Sequence, residues 1–270
     1  WDAQTVAPGG NFGYNDALFT VSTDSSGTST GGETAGGTDL NGDGIPDMVV
    51  SYDVNATGKI VMISGSDIAV GGVTSHQDYE VISGSSSSYF GQHVALATEF
   101  DGDGYGELVV AAPYAESVGS DGTSYEYGGV VYVFNGDVLS SSGTAEVSSY
   151  IQIHGTEIAA NLQVIEHLGD HDGDGLTDIP VSVVNELVSL NTPDRITYLF
   201  QGSTLGSGGT YDATQAASHI FSNQYAHDMF GYAGVAADID NDGKDDLIIG
   251  APRSGYVIGA GSQNFDGIFG

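Results

Sequence analysis

The chain has 270 residues and sets 36 acidic side chains against four basic ones, a formal charge of −32 at neutral pH. Four scattered cations (Lys59, Arg195, Lys244 and Arg253) cannot build a basic groove, which excludes nucleic acid as a partner and makes an anionic membrane surface a poor one. Cysteine is absent, so no disulfide framework forms, and no apolar run is long enough to cross a bilayer.

In chain order the pattern is one of short β-branched and aromatic runs bounded by Gly, Ser and Asp, which reads as strands. A Ser/Thr/Gly-rich stretch from Ser22 to Thr38 is expected to be a long exposed insertion. An acidic loop opens at Asp39, followed by Met48-Val49-Val50 and then by Lys59-Ile60-Val61-Met62-Ile63, which leads into Ser64-Gly65. The same order returns with Glu99, then Leu108-Val109-Val110, then Val130 to Phe134 and Asn135-Gly136. It returns again with Asp170, Ile179-Pro180-Val181, Ile196 to Phe200 and Gln201-Gly202. A fourth round has Asp238, Leu247-Ile248-Ile249 and Tyr256-Val257-Ile258. The loops start 60, 71 and 68 residues apart, and 42 glycines supply tight turns. Helical periodicity is hard to find; the stretch from Glu157 to His167 comes nearest and lacks flanking signals. Pro180, early in its run, predicts an edge or irregular strand position. A unit of this length holding about four strands fits one propeller blade, so the sequence predicts an all-β chain of about four repeats, over residues 12–82, 83–155, 156–222 and 223–270.

The acidic loops carry the chemistry. Their side-chain oxygens are Asp39, Asn41, Asp43 and Asp47; Glu99, Asp101, Asp103 and Glu107; Asp170, Asp172, Asp174 and Asp178; and Asp238, Asp240, Asp242 and Asp246. These are positions 1, 3, 5 and 9 of one pattern, with Gly at position 6 and a backbone carbonyl expected from position 7: Ile45, Tyr105, Leu176 and Lys244. Ca²⁺ takes six to eight oxygens at roughly 2.3–2.6 Å, and a loop with alternating carboxylates supplies them. Without a cation such crowding is costly, because like charges a few ångströms apart repel. Mg²⁺ fits less well, since it keeps octahedral geometry and several waters. Position 12 is Val50, Val110, Val181 or Ile249, where an EF-hand needs a bidentate Glu and flanking helices, so these loops join strands. About four Ca²⁺ ions are expected.

Phe90-Gly91 with Leu108 to Pro113, and Phe230-Gly231 with Leu247 to Pro252, resemble the FG-GAP repeat, the blade unit of integrin α-subunit heads. The first repeat has Ser51-Tyr52-Asp53 in place of Gly-Ala-Pro, with Phe12-Gly13 far upstream; the third has Asn161-Leu162 in place of Phe-Gly. The resemblance implies a β-propeller with Ca²⁺ in the inter-strand loops. Family propellers usually have seven blades, so this chain either closes as a small propeller, is cut from a longer protein, or is completed by another copy. From Trp1 in place of Met a processed form or an excised piece is expected, and Phe269-Gly270 has the look of a further repeat beginning.

The leading expectation is a secreted or cell-surface module for adhesion or extracellular assembly, with a protein partner, self-association or a head-to-tail homopolymer, and glycan as a further ligand. The alternatives are a lectin-like carbohydrate binder and, behind it, a hydrolytic enzyme. No zinc-protease or phosphate-loop motif is present, and Gly27-Thr28-Ser29-Thr30-Gly31 matches G-x-S-x-G without the strand-then-helix context, so no enzyme is expected. His93, His154 and His167 are read as structural and His171 as a surface residue; a histidine beside two carboxylates in a central pocket would argue otherwise. Asn55-Ala56-Thr57 has the form of a glycosylation sequon.

Overall fold

The computed structural model describes residues 19–22, 29–53, 56–70, 72–75, 80–136, 143–144, 149–184, 195–222, 229–252 and 267–269. The chain is all-β, built of successive antiparallel sheets that follow the sequence repeat. The first sheet takes Ser29–Thr38, Asp47–Asp53, Lys59–Ile63 and Glu80–Ser83 in that order, and the second takes His93–Ala97, Glu107–Ala112, Val130–Asn135 and Ile151–His154. The third is Leu162–Val164, Ile179–Val183, Ile196–Phe200 and His219–Ser222. The fourth has Gly234–Ala237, Asp246–Ile249 and Gly267–Phe269 as its described strands. The first two sheets each gain a fifth, parallel strand from the following repeat, Gly143–Thr144 and Gly209–Asp212. The order within each sheet is a simple meander, each of these strands pairing antiparallel with the next.

Strands buried on both faces lose the usual alternation, and Glu107–Ala112 is buried throughout. One core packs the second sheet on the third through Val109, Val131, Ile153, Leu162, Val181 and Phe200. Another packs the first on the second through Val49, Ile60, Phe90, Leu108 and Phe134. Phe90 sets its edge against the rings of Tyr132 and Phe134, the arrangement that aromatic quadrupoles favour.

One expectation is corrected. From Ser29 on, the stretch expected to be an exposed insertion is a strand: Ser29–Thr38 is the first strand of the first sheet, paired with Asp47–Asp53 through two register shifts. Its low complexity reflects those shifts, which small residues and glycine tolerate. Pro180 lies in an interior strand, paired with Leu199 on one side. On the other side its carbonyl accepts from Ile165, and the neighbouring strand ends at Val164. The missing proline donor therefore falls where that ladder stops. Short helices occupy Gly65–Val70, Gly202–Leu205 and Ala213–Ala216, whereas the stretch from Glu157 to His167 contains the strand Leu162–Val164. Phe12-Gly13, Asn55 and Tyr256 to Ile258 lie outside the described residues.

Candidate metal centres

Each acidic loop is the turn between the first and second strands of its sheet, so the four lie at equivalent places. Within each, the carboxylate at position 1 folds over the backbone ahead of it. Asp39 accepts from the amides of Gly42 and Gly44 at 2.8 and 2.7 Å. Glu99 accepts from Gly102 and Gly104, Asp170 from Gly173 and Gly175, and Asp238 from Asp242 and Gly243. The side chain at position 3 (Asn41, Asp101, Asp172, Asp240) accepts from the amide at position 5. The carboxylate at position 5 (Asp43, Asp103, Asp174, Asp242) accepts from the amide at position 7 (Ile45, Tyr105, Leu176, Lys244). Wrapping the backbone this tightly needs left-handed φ at positions 4 and 6, +79° at Gly173 and +88° at Gly175 in the third loop. The fourth loop has Asn241 at position 4 with φ +61°, a residue type that tolerates that region.

Position 9 separates the loops. Asp47 is 2 % exposed and satisfied: Leu40, Asn41 and Gly65 donate their amides to it at 2.9, 3.1 and 2.9 Å. Asp178 is 0 % exposed and accepts from the amides of His171 and Gly202. Asp246 accepts from Ile239. Glu107 is 0 % exposed, and neither of its carboxylate oxygens has a hydrogen-bond partner. Burial, and then the charges of Asp101, Glu99 and Asp103, push its pKa up to about 9, against the nearby amide of Phe100, which falls short of hydrogen-bonding geometry with it. Burial likewise pushes Asp178 up to about 6, opposed by the amides of Gly202 and His171. Asp101 is raised by burial and by Asp103.

One oxygen from each of Glu99, Asp101, Asp103 and Glu107 lies within 4.8 Å of the others. The same holds for Asp170, Asp172 and Asp178, and for Asp238, Asp240 and Asp246. Asp174 and Asp242 stand outside those groups, and the first loop, with the carboxamide of Asn41 at position 3, brings no three carboxylate oxygens that close. A buried carboxylate with both oxygens orphaned, facing three more acids, fits a hard dication: the ion supplies the missing partner and reverses the electrostatics that now favour a proton.

The FG-GAP repeat family matches residues 90–134 and 230–267. The chain carries FG-GAP repeats. It is 30% identical to integrin alpha-V of Gallus gallus over 223 residues, 79% of this chain and 19% of that protein. It is 26% identical to integrin alpha-4 of Xenopus laevis over 63% of this chain and 15% of that protein. It is 27% identical to the phosphatidylinositol-glycan-specific phospholipase D of Homo sapiens over 79% of this chain and 25% of that protein. The chain thus spans a quarter or less of the length of these relatives. Among solved structures, a Bacillus licheniformis rhamnogalacturonan lyase aligns over 83% of this chain and 40% of its own, with TM-score 0.46 and 16% identity, a likeness that bears on neither fold nor activity.

The FG-GAP dipeptide has a visible purpose. Phe90 and Phe230 are buried, and a Cβ on Gly91 or Gly231, both at positive φ, would press on Ser51 or Ser182 of the preceding sheet. The glycine lets one repeat approach the last. The acidic loops are joined in the same sense. Gly106 donates its amide to the carbonyl of Asp39, Thr177 to that of Glu99, and Asp245 to that of Asp170. Position 8 of each loop thus holds position 1 of the loop before.

The sequence reading missed a second layer around the loops. Asn135 donates its amide group to Asp101 and Asp103, Gln201 to Asp172, and the Ser64 hydroxyl to Asp43. Each stands just before the turn glycine at the end of the third strand, so the repeated Ser64-Gly65, Asn135-Gly136 and Gln201-Gly202 was the available signal. The Nδ1 of His171 lies against the carbonyl of Asp245, so that nitrogen carries the proton and ties the third loop to the fourth. His154 is held between the amide of Val118, which donates to Nδ1, and Gln152 at Nε2, and its pKa is lowered by burial.

Proposed function

We propose that this chain is a secreted or cell-surface, calcium-binding β-propeller module for adhesion or extracellular assembly. The observation that carries the metal reading is Glu107, a fully buried carboxylate with no partner inside a ring of three acids, in a loop geometry repeated four times. Each sheet forms a blade, and each blade holds one Ca²⁺ through side chains at positions 1, 3, 5 and 9. The carbonyls of Ile45, Tyr105, Leu176 and Lys244 complete the shells. Asn135, Gln201 and Ser64 keep the carboxylates oriented, the service that outer-shell donors give metal ligands. The module acts by binding rather than by catalysis, and its partner is another protein or another copy of the chain; the integrin alpha relatives support the adhesion class.

Equilibrium dialysis against Ca²⁺, with light scattering at each end of the titration, tests this. About four ions per chain, with a rise in melting temperature, support it. No calcium uptake, and an unchanged melting curve in chelator, reject it.

A carbohydrate ligand is the second reading. Tyr89, Tyr114 and Tyr127 form a row with ring centroids 5.1 and 6.0 Å apart, and the outer two rings are exposed. Flat aromatic faces of this kind pack against sugar rings. Loss of glycan binding on Tyr89→Ala would favour it.

A further inference from the structure

Three strands that open successive sheets pack side by side: Ser29–Thr38, His93–Ala97 and Leu162–Val164. Each brings one metal-binding side chain to the same place, Glu33 within the first, His93 at the start of the second and Glu166 just beyond the end of the third. One oxygen of each glutamate and one ring nitrogen of His93 lie within 4.8 Å of one another. None of the three belongs to an acidic loop, and they are 60 and 73 residues apart in sequence, so only the packing of the sheets unites them.

Two features show that the grouping is built. The strand carrying Glu33 runs out of step between Thr30 and Thr34, which pair with Tyr52 and Val50, so Gly31, Gly32 and Glu33 together oppose the single residue Ser51. The amide of Glu33 is pinned to the Ser51 hydroxyl at 2.9 Å. A bulge re-aims the side chain it carries, and this one carries the glutamate. The second feature is a cavity of about 270 Å³ between the first two sheets, walled by Glu33 and His93 with Tyr52, Tyr89 and Gln92. Glu166 is the charge that acts on both Glu33 and His93, so two carboxylates and an imidazole crowd one place.

The geometry points to a divalent metal site formed by Glu33, His93 and Glu166, selective for a zinc-class transition ion and open toward the cavity. The donor set decides the class. Calcium is served by oxygen, and the acidic loops offer only oxygen, whereas an imidazole favours zinc and its first-row neighbours. Two carboxylates and one imidazole neutralise a dication. Three protein ligands leave a fourth position for water or a ligand donor, the arrangement of zinc sites that act on a bound molecule rather than merely brace a fold. The cavity gives that position room.

The test is a titration of the intact chain with Zn²⁺, and with Co²⁺ as a coloured probe, in buffer already saturated with Ca²⁺. One tight equivalent per chain is expected, with the visible absorption of Co²⁺ bound through nitrogen and oxygen. His93→Ala should weaken it by at least about tenfold and abolish that spectrum. Glu166→Gln, at an exposed position outside the packed core, should weaken it by a similar factor while leaving calcium stoichiometry and melting temperature unchanged. Asp240→Ala should leave it intact. No zinc equivalent in the presence of calcium would overturn the assignment, as would an equivalent that survives both His93→Ala and Glu166→Gln.

Discussion

The first and second acidic loops share one backbone path and differ in what closes them. In the first, Asp47 is held by three amides, and the neutral Asn41 replaces an acid at position 3. In the second, Glu99 and Glu107 extend positions 1 and 9 by one methylene each, and Glu107 is left buried with both oxygens unpaired. The difference teaches that the repeat specifies the turn, while the side chain at position 9 specifies how far the turn depends on an ion. The first loop closes on its own hydrogen bonds. The second closes on an ion or on a proton.

The largest effect expected from this contrast is on calcium removal. A ligand held at a hundred times its Kd stabilises the folded state by about 2.7 kcal/mol per site. At this chain length that is roughly 5–10 °C of melting temperature per site, so chelation should lower the transition markedly. Glu107→Gln should then behave oppositely in the two buffers. With calcium it loses a ligand and melts lower than the parent. In chelator it removes a buried charge-bearing group and melts higher, by on the order of 1–3 kcal/mol. Asp47→Asn should melt lower in both, because it weakens hydrogen bonds that exist without the ion. Scanning calorimetry of the two variants, each with and without calcium, decides the matter. If Glu107→Gln lowers the transition in chelator as well, the two loops do not differ in the way proposed.

Next in size is a pH dependence confined to the calcium-free protein. Burial and its acidic neighbours push the Glu107 carboxyl up to about 9 in the folded protein, from 4.5 for a free glutamate, so between those pH values the folded state holds a proton that the unfolded state has lost. The stability of the chelated protein should therefore fall as pH rises from about 5 to 9, on the order of 1 kcal/mol per pH unit. Asp178, pushed up to about 6 from 3.8, adds the same sign over its narrower window. Calcium takes the ionised form and should abolish or reverse the trend. Melting curves across that range should flatten in Glu107→Gln; an equally steep fall in the variant would place the proton elsewhere.

Much of the site was legible in the sequence because its pattern is local. Positions 1, 3, 5 and 9 lie within nine residues, and the glycine at position 6 announces the turn, so the loops could be read without any knowledge of packing. The strands that follow were legible for the same reason, being short apolar runs after a fixed signal. What was not legible depends on contacts between repeats. Nothing near Ser29 to Thr38 marks it as a strand, since its pairing with Asp47–Asp53 is broken by two register shifts and its composition is that of a loop. The acceptor of Pro180 and the end of the neighbouring strand become visible only when the sheets are laid side by side. His93 looked structural because its two glutamate neighbours lie 60 residues before it and 73 after.

The smallest effects lie in the links between loops, where the third and fourth can be set against the others. Every neighbouring pair shares one backbone bond, from position 8 of one loop to position 1 of the loop before. Between the third and fourth, Asp245 adds a carboxylate, accepting from the amide of Asp170 at 3.0 Å, and His171 adds a ring against the Asp245 carbonyl, whereas between the second and third the Thr177 hydroxyl meets that of Thr98 at 3.3 Å. Asp240→Ala should remove one calcium equivalent, that of the fourth loop, and leave three. Asp245→Ala should do the converse: all four ions remain, but the third binds a few-fold more weakly, as expected from losing one hydrogen bond worth about 0.5–1.5 kcal/mol. The fourth loop keeps its ligands, because Asp245 is not among positions 1, 3, 5 and 9. Site-resolved calcium titration, by NMR of the glycine amides at positions 175 and 243, separates the two changes. A weakening at Gly243 with none at Gly175 would mean that Asp245 serves its own loop, and that the contact with Asp170 carries no free energy between neighbours.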